Sequence, residues 1–273
     1  MKLTEKQRII LEALARFKYL TTKQLQMILH SNNRGSINSA IRELKSAKFP
    51  LIKSMEFWVV PGKWRLAAVH HLTESGKRLL ITKLWIKSEE VLAPKGSSAF
   101  FQRDYYHRLA TIDFNIRFQQ WIWQHGLQLK FFYSYFTKVK HGEQYRAITA
   151  IKYGNQRIEP DGLGVYKYNE KDVIFIFELH NGNDAKRAIE QIARHYNILV
   201  AGLYSIQNQV SSVARVIYLF EQKSCMEKVM KLFMADSRLR QLSDYFLFNH
   251  QENINIGFTH NWQTPAGKPR HFK

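Results

Sequence analysis

Cysteine is almost missing from this chain: Cys225 stands alone among 273 residues. That excludes a disulfide framework and a zinc site built from cysteine pairs. Acidic residues are scarce too, 22 Asp and Glu against 41 Lys and Arg, for a formal net charge of +19. No apolar run approaches the ~20 residues that span a bilayer, so no membrane insertion is expected. No leader-like stretch precedes "MKLTEKQRII", and with the single thiol this sets the expectation of a reducing cytoplasm. Several catalytic signatures are absent: there is no GxxxxGK[ST] phosphate loop, no nucleophile elbow and no Cys/His zinc spacing. Internal repeats and low-complexity tracts are absent as well.

What remains is a chain well able to fold, with 45% hydrophobic and 14% aromatic residues. Its length suits two domains, each with a core. Residues 1–100 hold 18 basic and 7 acidic side chains, and the rest hold 23 and 15. Both parts are basic, which points to a polyanion contacted along most of the molecule. Ribosome-associated and membrane-surface proteins share that bias, so charge alone does not name the partner.

The N-terminal third reads as helices followed by a hairpin. In "TEKQRIILEALARF" (4–17), Thr4 and Gln7 have capping-box spacing, and Ile10, Ala13, Leu14 and Phe17 share a face. "YLTTKQLQMIL" gives a second helix, and "SINSAIRELKSAKFP" a third that Pro50 stops. "LIKSMEFWVV" and "WRLAAVHHL" read as strands joined by a Pro61-Gly62-Lys63 turn, and a fourth helix starts at Thr73. This is the order of a winged helix-turn-helix, expected over residues 1–86. Its third helix would present Arg34, Ser36, Asn38, Ser39 and Arg42 to double-stranded DNA, with Lys53, Lys63 and Arg65 on or near the wing. A winged helix used only for protein contacts fits the same element order.

Residues 87–98, "KSEEVLAPKGSS", read as a linker, and residues from 259 as a basic tail that frays or touches nucleic acid. Between them, over 99–258, the pattern gives a long helix, three stretches of strand, a helix, a strand, a helix and a short last strand. That is an α/β domain with a mixed central sheet, so the whole chain is expected to be α+β.

The chemistry concentrates in "IEPDGLGVYKYNEKDVIFIFELH" (158–180). Val173 to Phe177 are β-branched or aromatic throughout, as in a strand buried on both faces. Glu178 and His180 end that strand, and a buried charge needs a partner, a metal or a task. A hairpin places Asp161 beside Glu178; His180 projects from the same face as Glu178, and Glu159 stands in the same relation to Asp161. Two or three carboxylates converging on one point suit Mg²⁺ or Mn²⁺, which can activate a water and steady charge on a phosphate. Each residue also has a plainer reading: a Pro-Asp-Gly turn, a salt-bridged Glu and a structural His. Gln191 and Tyr196 lie five apart on the following helix, with Tyr196 read as core.

"PDG…FELH" resembles the P-D…(D/E)-x-K signature of restriction-endonuclease-like nucleases. His180 stands where that signature has lysine, and it could act as a base or hold phosphate. With a winged helix in front, the chain resembles the replication-relaxation family, which includes the MOBC-type relaxases of mobilisable plasmids. "HRLATID" fits the family's pattern at the start of its long helix. The resemblance implies metal ligands at Asp161 and Glu178, with Glu159 as a further candidate, and His180 as catalytic assistant. It implies a polar residue lent by the long helix, His107 or Asp113. The His-hydrophobic-His pair of the commoner relaxases is missing, because His70 and His71 are adjacent. The implied function is a plasmid mobilisation relaxase, a metal-dependent endonuclease that nicks DNA at an origin of transfer, with accessory mobilisation or coupling proteins as partners. The alternatives are a non-catalytic replication or transcription regulator and a hydrolytic defence or transposition nuclease. The sequence leaves open the DNA site read, any tyrosyl intermediate and the oligomeric state.

Overall fold

The computed structural model describes residues 2–57, 66–94, 104–141 and 144–271. It is a mixed α+β protein that packs as two compact units, Met1–Ile116 and Arg117–Lys273. The division falls inside the long helix, later than the linker expected at 87–98. The described part of that stretch is not free chain. Val91 is buried and the Leu92 amide donates to the Ala15 carbonyl at 2.8 Å.

In the first unit, helices α1 (Glu5–Phe17) and α2 (Thr22–Ile28) each open with a complete capping box, Thr4 with Gln7 and Thr21 with Gln24. Helix α3 (Arg34–Ser46) starts two residues before the expected Ser36, because Asn33 takes the cap and accepts from the Ser36 amide. Its Ile37, Ala40, Ile41 and Leu44 are buried at helical spacing. Strands β2 (Ile52–Met55) and β3 (Val69–Leu72) pair antiparallel from Ile52↔Leu72 to Met55↔Val69. Both are shorter than the runs expected from the sequence, and the turn at residues 61–63 lies outside the described residues. A two-residue strand β1 (Leu20–Thr21), not expected from the sequence, completes a sheet of order β1-β3-β2. Helix α4 (Glu74–Lys83) crosses so near this sheet that a Cβ on Gly76 would lie 2.1 Å from the Leu51 carbonyl oxygen. Only glycine fits there.

Helix α5 (Tyr105–Gln124) leads into a five-stranded sheet of order β12-β11-β10-β9-β4. Strands β4 (Gln128–Ser134), β9 (Gly162–Tyr168) and β10 (Lys171–His180) form an antiparallel meander. Helix α6 (Ala185–Val200) then carries the chain over to β11 (Arg215–Phe220), parallel to β10. After α8 (Lys223–Ala235), β12 (Phe246–His250) adds a further parallel strand. Two small hairpins are inserted between β4 and β9: β5 (Lys138–His141) with β6 (Gln144–Ala147), and β7 (Ile151–Tyr153) with β8 (Gln156–Ile158).

The middle of β10 is buried on both faces, as the apolar run predicts. Ile174 and Ile176 join a core with Ile192 of α6 and Val229 and Phe233 of α8. Phe175 faces the other way, its ring 4.2 Å from that of Phe118 on α5. Gly164 makes this packing possible, since a Cβ there would come within 2.3 Å of the Phe175 ring. The segment from 259, expected to fray, is built into the unit. Trp262 is buried, and Gln263 exchanges both backbone hydrogen bonds with Phe248, at 2.8 and 3.2 Å. Its polar composition hid one large apolar anchor. Among the described residues no helix is long and apolar enough to cross a membrane.

Candidate active site and candidate DNA-contacting helix

The β9–β10 register explains how two acids meet. Phe177 pairs with Gly162, so the next step of the same register sets Glu178 against Asp161. The Leu179 amide donates to Asp161 Oδ2 at 2.7 Å, which fixes the aspartate against the neighbouring strand. On the other side Glu178 pairs in register with Tyr218 of β11. Asp161, Glu178 and Tyr218 therefore form a row across three strands, on the face that α6 covers.

Helix α6 supplies the partners of Glu178. Gln191 Nε2 donates to Glu178 Oε2 at 2.7 Å, and His195 Nε2 lies 2.6 Å from Oε1. The two residues are four apart, one above the other on a single helix face. His195 Nδ1 is in turn 2.5 Å from the Tyr204 hydroxyl, on the short helix α7 (Leu203–Gln207). Glu178 is 2% exposed and His195 is fully buried. Burial pulls the imidazole down to about 3, which favours a hydrogen bond from a neutral ring to Glu178 over an ion pair. Burial pushes the Tyr204 hydroxyl up, so it stays protonated, donates to Nδ1 and leaves the ring proton on Nε2 facing Glu178.

Burial raises the Glu178 carboxyl well above the usual carboxylate range; the negative charge of Asp161 adds to this, and the Gln191 hydrogen bond opposes it. Two acids this close resist ionising together. Two polar atoms here are buried without a hydrogen-bond partner, the Tyr218 hydroxyl in the row and His180 Nε2 beside it. A buried orphan costs on the order of 1–3 kcal/mol, so both are out of place in a purely structural core. The His180 ring is lowered by burial and by Arg187, while Asp184 opposes that with its charge and a backbone hydrogen bond.

Not every expected residue comes to this place. Glu159 is exposed and ion-paired with Arg157. The alternation that would align it with Asp161 fails because β8 ends at Ile158 and β9 begins at Gly162, so Pro160 sits between strands. Among the described residues no group of three or more His, Cys, Asp or Glu side chains is poised to hold a metal. His107 and Asp113 belong to the first unit, where Asp113 Oδ1 accepts from Gln24 Nε2 at 2.8 Å. Tyr196 packs against the core as expected. The sequence reading missed His195, Tyr204 and Tyr218; the one signal for His195 was its one-turn spacing from Gln191.

On α3, Arg34, Asn38, Ser39 and Arg42 are exposed and Ser36 half-buried, opposite the buried apolar face. Several of these polar groups are held in place. Ser36 accepts a hydrogen bond from Lys6, Asn38 meets Thr22 at 3.3 Å, and Ser39 donates to Glu43 at 3.3 Å. Lys53 is exposed on β2. Lys63 and Arg65 lie outside the described residues.

Compared with known proteins, the chain matches no family model, no curated protein and no solved structure. The chemistry of the two places just described has to carry any functional reading.

Proposed function

We propose that this chain is a DNA-binding endonuclease with a metal-dependent site at Asp161 and Glu178, of the relaxase kind that nicks plasmid DNA at an origin of transfer. The observation that carries the reading is the carboxylate pair itself. Two acids sit side by side where β9 begins and β10 ends, and burial, with repulsion from Asp161 adding to it, raises the Glu178 carboxyl. A dication relieves that repulsion, and the hard oxygens of the pair suit Mg²⁺ or Mn²⁺. When bound, such an ion would make a water a better nucleophile and offset charge on a scissile phosphate. Asp161 and Glu178 would hold it. Gln191 and His195 would orient Glu178 from behind, as hydrogen-bonding partners of metal ligands commonly do. His180, with its unpartnered Nε2, would reach a phosphate oxygen or a proton at the site.

The order helix, three-stranded meander, crossover helix and parallel strand supports a restriction-endonuclease-like fold for the second unit. In the first, the helices with β2 and β3 support a winged helix that reads double-stranded DNA through Arg34, Ser36, Asn38, Ser39, Arg42 and Lys53. A second reading has one observation in its favour. Both oxygens of Glu178 already have hydrogen-bond partners and no third ligand stands beside the pair among the described residues, which suits a non-catalytic DNA-binding regulator.

Supercoiled plasmid carrying candidate origins, incubated with the protein and Mg²⁺ or Mn²⁺, separates the two. Nicked circles are expected from the wild type. Asp161→Ala and Glu178→Ala should each drop nicking to background, at least ~1,000-fold, while DNA binding persists through Lys and Arg contacts. Nicking that survives Asp161→Ala would sink the metal-site reading; specific binding without nicking would favour the regulator.

A further inference from the structure

The two hairpins inserted between β4 and β9 border an open cavity of about 610 Å³ in the second unit, with Gln207 of α7 completing the lining. Aliphatic wall comes from Val139, Ile148 and Ile151, and three exposed cations border it, Arg146, Lys152 and Arg157. Among the described residues no Asp or Glu lines it. Arg157 has an ion-pair partner in Glu159, whereas Arg146 and Lys152 have no acidic partner among the described residues. The bias is already in the sequence: residues 138–158 hold five Lys and Arg and one Glu. Clustered like charges repel and do nothing to hold two short hairpins together. Their placement suits a ligand that brings its own negative charges.

The surroundings narrow the ligand. The lining is aliphatic and polar, while exposed Tyr145 and Tyr153, next to Arg146 and Lys152 in sequence, lie outside it. Asn155 and Gln156 add amide edges to the cavity lining. Clustered cations beside an aliphatic wall and amides match a chain of phosphates carrying flat bases. A cleft in the ~300–1,000 Å³ range takes groups of small-molecule size, so a base can enter it, whereas a rigid duplex keeps its bases stacked inside. We propose that this cavity binds an unpaired polynucleotide strand, with phosphates on Arg146, Lys152 and Arg157 and bases against the aliphatic wall. The inference does not rest on the nuclease reading, since a strand can be held whether or not the second unit cuts.

The test is fluorescence anisotropy of a labelled oligothymidylate of about 10 nucleotides, within known site sizes, titrated with full-length protein at several salt concentrations. Arg146→Glu with Lys152→Glu should weaken binding at least ~10-fold and lower the salt slope by about 1.4, the loss of two single-strand phosphate contacts. Lys228→Glu with Lys231→Glu, also exposed, changes net charge equally and should leave affinity within ~2-fold. All four sites are exposed; should the first pair unfold the protein on a melting curve, Arg146→Gln with Lys152→Gln replaces it. A bromouracil-substituted strand should photocrosslink to the peptide spanning 138–158. Equal losses from both charge-reversed pairs, crosslinks confined to other peptides, or no binding by the wild type would overturn the proposal. So would thymidine monophosphate or polyglutamate binding as tightly as the strand, the first indicating a free-nucleotide pocket and the second an acidic-peptide groove.

Discussion

The two places proposed to meet nucleic acid in this protein are built in opposite ways. The α3 face spends its polar residues at the surface, where Arg34 and Arg42 are exposed over an apolar inner face. The β9–β10 site buries its polar residues: Glu178, His195 and Tyr204 satisfy one another in the interior of the second unit, with half-buried Gln191 at the edge. An exposed cation is solvated whether or not it binds anything, so each acts nearly alone. A buried network fails as a unit, because removing one member leaves its neighbours dry and unpaired. Substitutions at the two places should therefore differ in size and in kind.

The largest effect on stability falls on His195. Alanine there leaves a cavity and strips partners from Glu178 Oε1 and the Tyr204 hydroxyl, at a cost of about 3–5 kcal/mol. Comparing His195→Gln with His195→Phe by chemical denaturation tells polar network from mere filling. Glutamine can still donate to Glu178, whereas phenylalanine fills space and donates nothing. Gln should retain more stability than Phe and, in the plasmid assay, more activity. If Phe is the milder change, packing and not hydrogen bonding holds the site, and the contrast with the surface helix collapses.

An intermediate case lies in the first unit. His70 is buried against Ser54 (Nδ1, 2.8 Å) and Thr22 (Nε2, 3.2 Å), and burial, with Lys45 and His71 adding, lowers it to about 4. The unfolded chain, near 6.5, takes up that proton first. Stability from this residue is then complete above about pH 6.5 and is lost as pH falls towards 4, by about 3 kcal/mol. Denaturation of His70→Gln across that window should show a flatter profile than the wild type. Identical slopes would mean that His70 is solvated in the folded state. His195, lowered to about 3, acts with the same sign and extends the decline to lower pH.

How much of this was legible in the sequence depends on whether a residue's role was local. The capping box at Thr4, the inward face of α3 and the doubly buried β10 follow from spacing alone. So does the meeting of Asp161 and Glu178, once the two strands are taken as a hairpin. Partners that arrive from elsewhere were not legible. Nothing around His195 says that its helix lies over Glu178, and Tyr204 reaches it only after the chain turns at Gly202, with φ at 63°. Glu159 was misread because period-2 alternation was carried across Pro160, where no strand exists. Trp262 was missed because a lone buried aromatic in a polar tail has no period to reveal it.

The smallest effect belongs to the surface helix, and it tests the other half of the contrast. Arg42 is exposed on α3, two turns from the Arg34 end, and its inward neighbours Ile41 and Leu44 are buried. Arg42→Ala should therefore leave folding untouched, within ~0.5 kcal/mol, as for most surface changes. If the helix lies in a DNA groove, the lost side chain weakens duplex binding by about 1–3 kcal/mol when it reads a base edge. If it touches only phosphate, the loss is uniform across sequences and the salt slope falls by about 0.9. Titrating duplexes that differ by single base pairs, at two or more salt concentrations, distinguishes these outcomes. A variant that binds every duplex as the wild type does would take Arg42 out of the interface and leave the basic charge of the first unit without its expected task. The His195 variants, by contrast, should bind duplex normally at temperatures where they remain folded, because their network lies in the second unit and presents no cation to the DNA.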